Sequence, residues 1–332
     1  MTGQEIESVA VIGAGMAGLC CAQHLRAAGL TVRVFDKSRG VGGRLATRRT
    51  DGEAAFDHGA QYFTVSDPIL RRHVDSWIRA GVAAPWSGRI VVLKQGQTSP
   101  PHGEVTRYVG APAMTAIAKH LAHGLNLELN ARIARLEPAG EKWRLRGEQE
   151  QDLGQFDAVL VTAPAPQTLD LLQGLAPFDA QLAEARLAPS WAVMLALPEP
   201  LALPLDGAFV EDSPLSWIAR NSSKPERPAT PDCWVLHARG DWSEEHLEEA
   251  PETVIAALLA AFWSATGATA PPDLTATAHR WRYALPTNPL PERCLFDPQS
   301  RLGVAGDWCG GPKVEGAFLS GLALAEAVFS LL

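Results

Sequence analysis

The sequence predicts an α/β fold, a parallel sheet wound with helices and interleaved with a second lobe of α+β character, on three observations. A glycine-patterned turn follows the first apolar strand (VAVIGAGMAGL, 9–19), a second strand ends on an acid at Asp36, and a strand, a turn and a long apolar helix run through VAGDWCGGPKVEGAFLSGLALAEAVF at 304–329.

Val9, Val11 and Ile12 make the first strand, and Gly13, Gly15 and Gly18 then fit the pattern G-x-G-x-x-G. The first glycine permits the tight turn, the second lets the backbone approach a pyrophosphate, and the third lets helix and strand pack closely. The helix that follows, through Leu19, Ala22 and Leu25 to Gly29, offers unpaired N–H groups to the anion. The next strand, TVRVFD, ends at Asp36, eighteen residues after Gly18. A carboxylate there accepts hydrogen bonds from a ribose, which favours an adenine dinucleotide with a free 2′-hydroxyl. Strand, turn, helix and acid in this order predict a Rossmann-type half.

After Asp36 comes KSRGVGGRLATRR, in which Gly42, Gly43 and Arg44 form a second glycine doublet with a cation. This element resembles the flavin-containing amine oxidase superfamily, whose members hold FAD in the Rossmann half. Arg44 would give a charge-assisted contact to pyrophosphate, whereas Arg48 and Arg49 read as exposed. The resemblance assigns Asp307, in the terminal G-D turn, to the ribityl or pyrophosphate side. It sets the backbone at Val314 and Glu315 against the isoalloxazine, where the helix dipole would stabilise negative charge on a reduced flavin. It also sets the backbone of Ile133, in NARIARLEP at 130–138, against adenine, and adds Ala14, Met16, Ala17, Lys37, His58 and Gly59 to the cofactor-binding set. The strand FDAVLVTAPAP at 156–166 would carry the chain back under this half.

Six further blocks, AAFDHGAQYF (54–63), APSWAVMLAL (188–197), SPLSWIARNSSKPER (213–227), WVLHARGDWS (234–243), HRWRYALP (279–286) and GDWC with VEGAFLSG, are similar, in order, to bacterial renalases. The resemblance covers nearly the full chain. It implies a fold of the amine oxidase and p-hydroxybenzoate hydroxylase type and an oxidase of isomeric dihydronicotinamides, chiefly 1,2-dihydro-NAD(P). Hydride would pass to the flavin N5, returning NAD(P)+, and the electrons to dioxygen, giving hydrogen peroxide: a metabolite-repair activity.

The expected organisation is two interleaved lobes, with 1–70, 125–170 and 300–332 holding FAD and 71–124 and 171–299 building a substrate lobe. In the latter, strand-like SWAVMLAL and WVLHAR accompany the helical PETVIAALLAAFWSA, and a proline-rich loop spans 222–231. A chain of 332 residues with 46% hydrophobic content can bury substantial cores. Its net charge of −8 lacks the basic footprint that nucleic-acid binding needs. No apolar run approaches the ~20 residues of a membrane span and no signal-peptide pattern is visible, so a cytoplasmic location is expected.

The five cysteines form no disulfide framework and no zinc-ligand spacing. Cys309 lies within the terminal turn, unlike the flavin-linking cysteine of some amine oxidases, so FAD is expected to be held noncovalently.

Five of the ten tryptophans, Trp191, Trp217, Trp234, Trp281 and Trp308, fall in or beside the renalase-like blocks. Flat walls suit a planar pyridine ring that must lie parallel to the flavin for hydride transfer. Candidate substrate residues are Ser190, Trp191, Trp217, His237, Trp281 and Trp308, with Trp308 set beside the flavin by its turn. His279 is a second candidate for polar substrate groups, and Arg220 and Arg282 for phosphates. None of the six lysines aligns with the flavin-side lysine of many amine oxidases. No catalytic acid or base is assigned, because a dihydropyridine that loses hydride becomes aromatic with no proton to remove. The alternatives on this fold are an amine oxidase or desaturase and, from another class, a flavin redox sensor without turnover. A two-dinucleotide NAD(P)H reductase would need a second G-x-G-x-x-G, which is not visible.

Overall fold

The computed structural model describes residues 6–50, 54–101 and 103–332. A six-stranded sheet runs in the order Leu295–Asp297, Leu302–Val304, Ala158–Val161, Ser8–Ile12, Thr31–Phe35 and Asn126–Glu128. Every pairing in it is parallel except that of Leu295–Asp297 with Leu302–Val304. Val9, Val11, Val34 and Leu160 are fully buried on one face, and Ala10, Phe35, Val159 and Val161 on the other. Parallel strands covered on both faces read as continuous apolar runs for this reason. The helices Met16–Ala27, Thr115–Ala122 and Lys313–Phe329 cover the first face. The second is covered by the antiparallel strands Ile133–Ala139, Lys142–Gly147 and Asp152–Phe156 and the helices Ala165–Leu172 and Asp179–Glu184.

This sheet recruits more chain than the expected segments. The Thr115–Ala122 helix packs on the first helix, Asp179–Glu184 closes the opposite face, and the strand Leu295–Asp297 extends the sheet before residue 300. The expected boundaries followed the glycine turns and strands, whereas the covering helices carry no comparable signature.

The second lobe is a seven-stranded sheet ordered Thr275–Asn288, Arg186–Leu197, Asp232–Ala238, Leu215–Arg220, Gly207–Glu211, Ile90–Lys94 and Gln97–Ser99. Its outer face buries Trp191, Val193, Leu195, Trp234 and Leu236 under Val254, Leu258 and Phe262 of the helix Pro251–Thr266. Its inner face turns toward the first lobe. The helix Pro68–Arg79 joins the two: Asp67 caps it by accepting the Ile69 N–H at 2.7 Å, and Pro68 fits its first turn. Leu70, Val74 and Trp77, on one helical stripe, face the core, with Trp77 edge-on to Phe318 of the terminal helix. Among the described residues no helix is long and apolar enough to cross a membrane, and no cluster of ligating side chains could hold a metal ion.

Candidate active site

The carboxyl ends of three parallel strands set the turns at Gly13, Thr162 and Asp307 on one edge of the first sheet, where such sheets bind ligands. Gly13 has φ +113° and donates its N–H to Phe35 O at 2.7 Å, a left-handed turn that favours glycine. A Cβ on Gly18 would strike Gly13 O, so this glycine permits helix and strand to touch. A Cβ on Gly15 would meet nothing within 4 Å: the chain leaves room at the one glycine meant to face a pyrophosphate. The first helix has no side-chain cap at its N-terminus. Gly42 donates to Ala14 O at 2.8 Å, bringing the second glycine turn against the first. Asp36 accepts the Ala14 N–H and the Ser38 N–H, both at 2.7 Å, which fixes its carboxylate and leaves acceptor capacity for a ribose. Lys37, beyond it, is exposed and reaches Gln167; Ala131 donates its N–H to Asp36 O at 2.9 Å, and Ile133, two residues on, begins its strand buried among Phe35 and Leu145. These residues fit the phosphate and ribose groups of FAD.

Arg44 grips Asp307 through two hydrogen bonds, at 2.6 and 2.7 Å, and donates to Ala284 O of the second lobe. The segment 57–62 runs beneath this pair. Ala60 donates its N–H to Arg44 O at 2.8 Å, and a Cβ on Gly59 would collide with the same carbonyl. Ala60 and Tyr62 pack in the same cluster as Met16 and as Val314 of the terminal helix, while Ala17 lies against that helix at Gly321. Glu315 uses its carboxylate to accept the Ser66 and Asp67 N–H groups at 2.7 and 3.0 Å.

Facing this segment, the inner sheet presents His279, Ala192, His237 and Trp217 in register across four strands. His58 O accepts from His237 Nε2 at 3.0 Å and from Trp281 Nε1 at 2.9 Å. The rings of His58, His279 and Trp281 lie 4.4 to 5.0 Å apart. Burial, with His279 nearby, pushes His58 down to about 4; burial likewise pushes His237 down to about 4 and lowers His279. All three are neutral at pH 7. Ser190, opposite Trp281 on the same face, donates to Ala238 O at 3.2 Å.

Two of the candidate substrate tryptophans are not brought to this face, nor is Trp234, which lies on the outer face. Trp191 alternates onto the outer face, 3% exposed, and donates Nε1–H to His246 O. Trp308 is fully buried beneath the first sheet, with Nε1–H on Ala163 O at 3.0 Å. Its turn fixes it beside the flavin-side chain segment but points the indole into the core, so it forms no substrate wall. Arg220 turns to Leu201 O and the Trp234 ring, and Arg282 pairs with Glu248 on the surface.

The chain also holds a buried ionic cluster that no sequence motif marks. Asp57, Lys224 and Arg227 are each 3% exposed or less at the side chain, with Lys224 Nζ 3.2 Å and Arg227 Nη2 2.7 Å from the Asp57 carboxylate. Gln61 and Asn221 bond to Lys224 as well, and Gln61 reaches back to Asp57 O. Burial works to raise the Asp57 carboxyl, but Lys224, Arg227, Thr47 and the Met114 N–H outweigh it and hold it well below the usual carboxylate range. Lys224 is pushed down to about 8, chiefly by burial. A lysine and an arginine in a proline-rich loop read as solvated, and nothing in the local pattern signals their burial.

A Rossmann turn, an acid at the second strand end and a helix that packs on the first helix meet at one edge of the first sheet, the arrangement of a dinucleotide-binding protein. Residues 11–77 match the NAD(P)-binding Rossmann-like domain, and residues 87–329 match the flavin containing amine oxidoreductases. The chain belongs to the flavin containing amine oxidoreductase family, and its cofactor is FAD. It is 28% identical to mouse (Mus musculus) renalase over 176 residues, 49% of this chain and 48% of the mouse protein, so the match spans about half the length of that relative. Its fold is similar to that of a candidate protoporphyrinogen oxidase from Exiguobacterium sp. 255-15 (TM-score 0.78, 14% identity, 98% of this chain and 99% of that one). It is similar as well to that of a putrescine oxidase with putrescine bound (TM-score 0.73, 14% identity, 98% and 99% covered).

Proposed function

We propose that this flavoprotein oxidises isomeric dihydronicotinamides, principally 1,2-dihydro-NAD(P), with dioxygen as acceptor. The balance is dihydro-NAD(P) plus O2 plus a proton giving NAD(P)+ and hydrogen peroxide. FAD, when bound, supplies the two-electron acceptor. The chain's residues bind, orient and exclude water. Gly13, Ala14, Gly15, Met16, Ala17, Gly18, Asp36, Lys37, Gly43, Arg44, His58, Gly59, Ile133, Asp307, Val314 and Glu315 would hold FAD noncovalently. Cys309 is 1% exposed and burial raises its thiol, which disfavours a covalent link.

The observation that carries this reading is the inner face: His58, His237 and His279 held neutral beside the flat rings of Trp217 and Trp281, with no carboxylate in the row to hold an ammonium. A dihydropyridine needs alignment and a dry site and no base. An amine must first lose a proton, and histidines whose burial lowers their proton affinity are poor bases for that. The renalase relative supports the same substrate class. Anaerobic mixing of the holoenzyme with 1,2- and 1,6-dihydro-NAD, ordinary NADH and a set of amines tests it. Flavin bleaching by a dihydro isomer, with a limiting rate that varies little between about pH 6 and 9, is expected; bleaching by amines alone would transfer the protein to the amine oxidases proper.

A further inference from the structure

On the inner face His237 lies directly opposite Trp217 in the antiparallel register, and side chains so opposed stand about 5 Å apart at Cβ on one side of the sheet. Their hydrogen-bonding capacities are complementary. The Trp217 side chain is buried, the residue 6% exposed, and its Nε1–H meets no acceptor among the described residues. An indole nitrogen can only donate, and a buried donor left unmet calls for an acceptor from outside the chain. The indoles of Trp191, Trp234, Trp281 and Trp308 each have an acceptor, so the deficit at Trp217 is specific to this position. His237 is the converse case. A carbonyl only accepts, so the bond to His58 O puts the imidazole proton on Nε2 and the lone pair on Nδ1. Tyr62 and Phe209 pack against the Trp217 ring at 5.2 and 4.7 Å, tilted by 58° and 62°, and hold the indole in place.

We propose that Trp217 and His237 read a primary carboxamide on a planar ring, the indole N–H donating to the amide oxygen and the imidazole Nδ1 accepting from the amide NH2. The proposal rests on the dihydronicotinamide reading and goes beyond it, since it names the substituent that sets specificity. An amine brings no acceptor for Trp217. A carboxylate satisfies the indole but turns a second lone pair on Nδ1.

Titration of the oxidised holoenzyme with nicotinamide, 3-acetylpyridine and nicotinate, followed by flavin absorbance, tests the pair without turnover. The wild type is expected to bind nicotinamide about tenfold tighter than 3-acetylpyridine, the worth of one hydrogen bond to a buried group. Trp217→Phe should weaken both by about tenfold. His237→Gln keeps a donor in the place of Nε2 and removes the Nδ1 lone pair, so it should abolish the preference for nicotinamide and leave 3-acetylpyridine binding unchanged. Flavin content and melting temperature of each variant monitor folding, and the wild-type ranking decides the matter even if a variant fails to fold. Equal wild-type affinities for the three ligands overturn the pair, as does an unaltered nicotinamide affinity in folded Trp217→Phe. Reduction by 1,2-dihydro-NAD, measured on the same samples, keeps the two readings apart: a pair-dependent amide preference without reduction would leave the subsite standing and remove the substrate assignment.

Discussion

Asp57 balances two cations in a place without solvent, and its removal costs more than the removal of either partner. Replacing Lys224 leaves one acid facing one base, whereas replacing Asp57 leaves Lys224 and Arg227 buried together with no counter-charge. Breaking a buried pair from the side that strands a charge typically costs about 3–5 kcal/mol. Asp57→Asn should therefore lower unfolding stability by about that amount, and Lys224→Met by clearly less; urea unfolding of the two variants side by side checks the ranking, and equal losses would contradict it. The neutral histidines make stability fall as the pH drops below neutrality. Their folded values, about 4 for His58 and His237, lie below the ordinary 6.5, so the unfolded chain takes up protons first as pH falls. Stability is complete above 6.5, declines between 6.5 and 4, and declines no further on this account below 4. Each group contributes at most about 3 kcal/mol to that decline, less where His237 keeps some contact with water. Denaturant midpoints across this window should fall less steeply in His237→Gln than in the wild type.

At the level of elements, Gly15 and Gly321 separate a cofactor role from a scaffold role. Gly15 has φ −81° and ψ −174°, an extended backbone open to any residue, and empty space where a Cβ would go. Gly15→Val should fold with an unfolding midpoint close to that of wild-type apoprotein, yet purify without colour. Gly321 is the reverse: a Cβ there would enter the Ala17 carbonyl, where the first and terminal helices cross. Gly321→Val should cost on the order of 2 kcal/mol or more through forced separation of these helices, read as a lower melting temperature with or without added FAD. This contrast also marks how far the sequence could be read. The first lobe was legible because a strand, a turn and a helix are local and each glycine sits at a fixed offset. The inner face was legible only in part. Trp217, His237, Trp281 and Trp191 share one set of blocks, but a strand's side chains alternate, and the phase that turns Trp191 outward and Ser190 inward is set by register with neighbours far along the chain. Trp308 failed for a related reason, since the position of a turn does not fix the direction of its side chain. Lys224 and Asp57 lie 167 residues apart and announce themselves in neither segment.

Over the whole molecule the two lobes share one strap of chain. Residues 54–63 bond to Arg44 and Ala46 on the first lobe and to His237, Trp281 and Lys224 on the second, while Arg44 itself crosses to Ala284. Lobes so connected should unfold together: calorimetry of the apoprotein is expected to give one transition with calorimetric and van't Hoff enthalpies equal, and two resolved transitions would show that the strap does not couple them. The terminal helix adds a consequence in the order of synthesis. The strand Leu302–Val304 and the helix Lys313–Phe329 complete the side of the Rossmann sheet that the first helix began some three hundred residues earlier. During synthesis the nucleotide turn is made early but has no finished cradle until Leu302–Val304 and Lys313–Phe329 follow it, so flavin is expected to settle only after the strands of the second lobe, which lie between them in the chain, have been made.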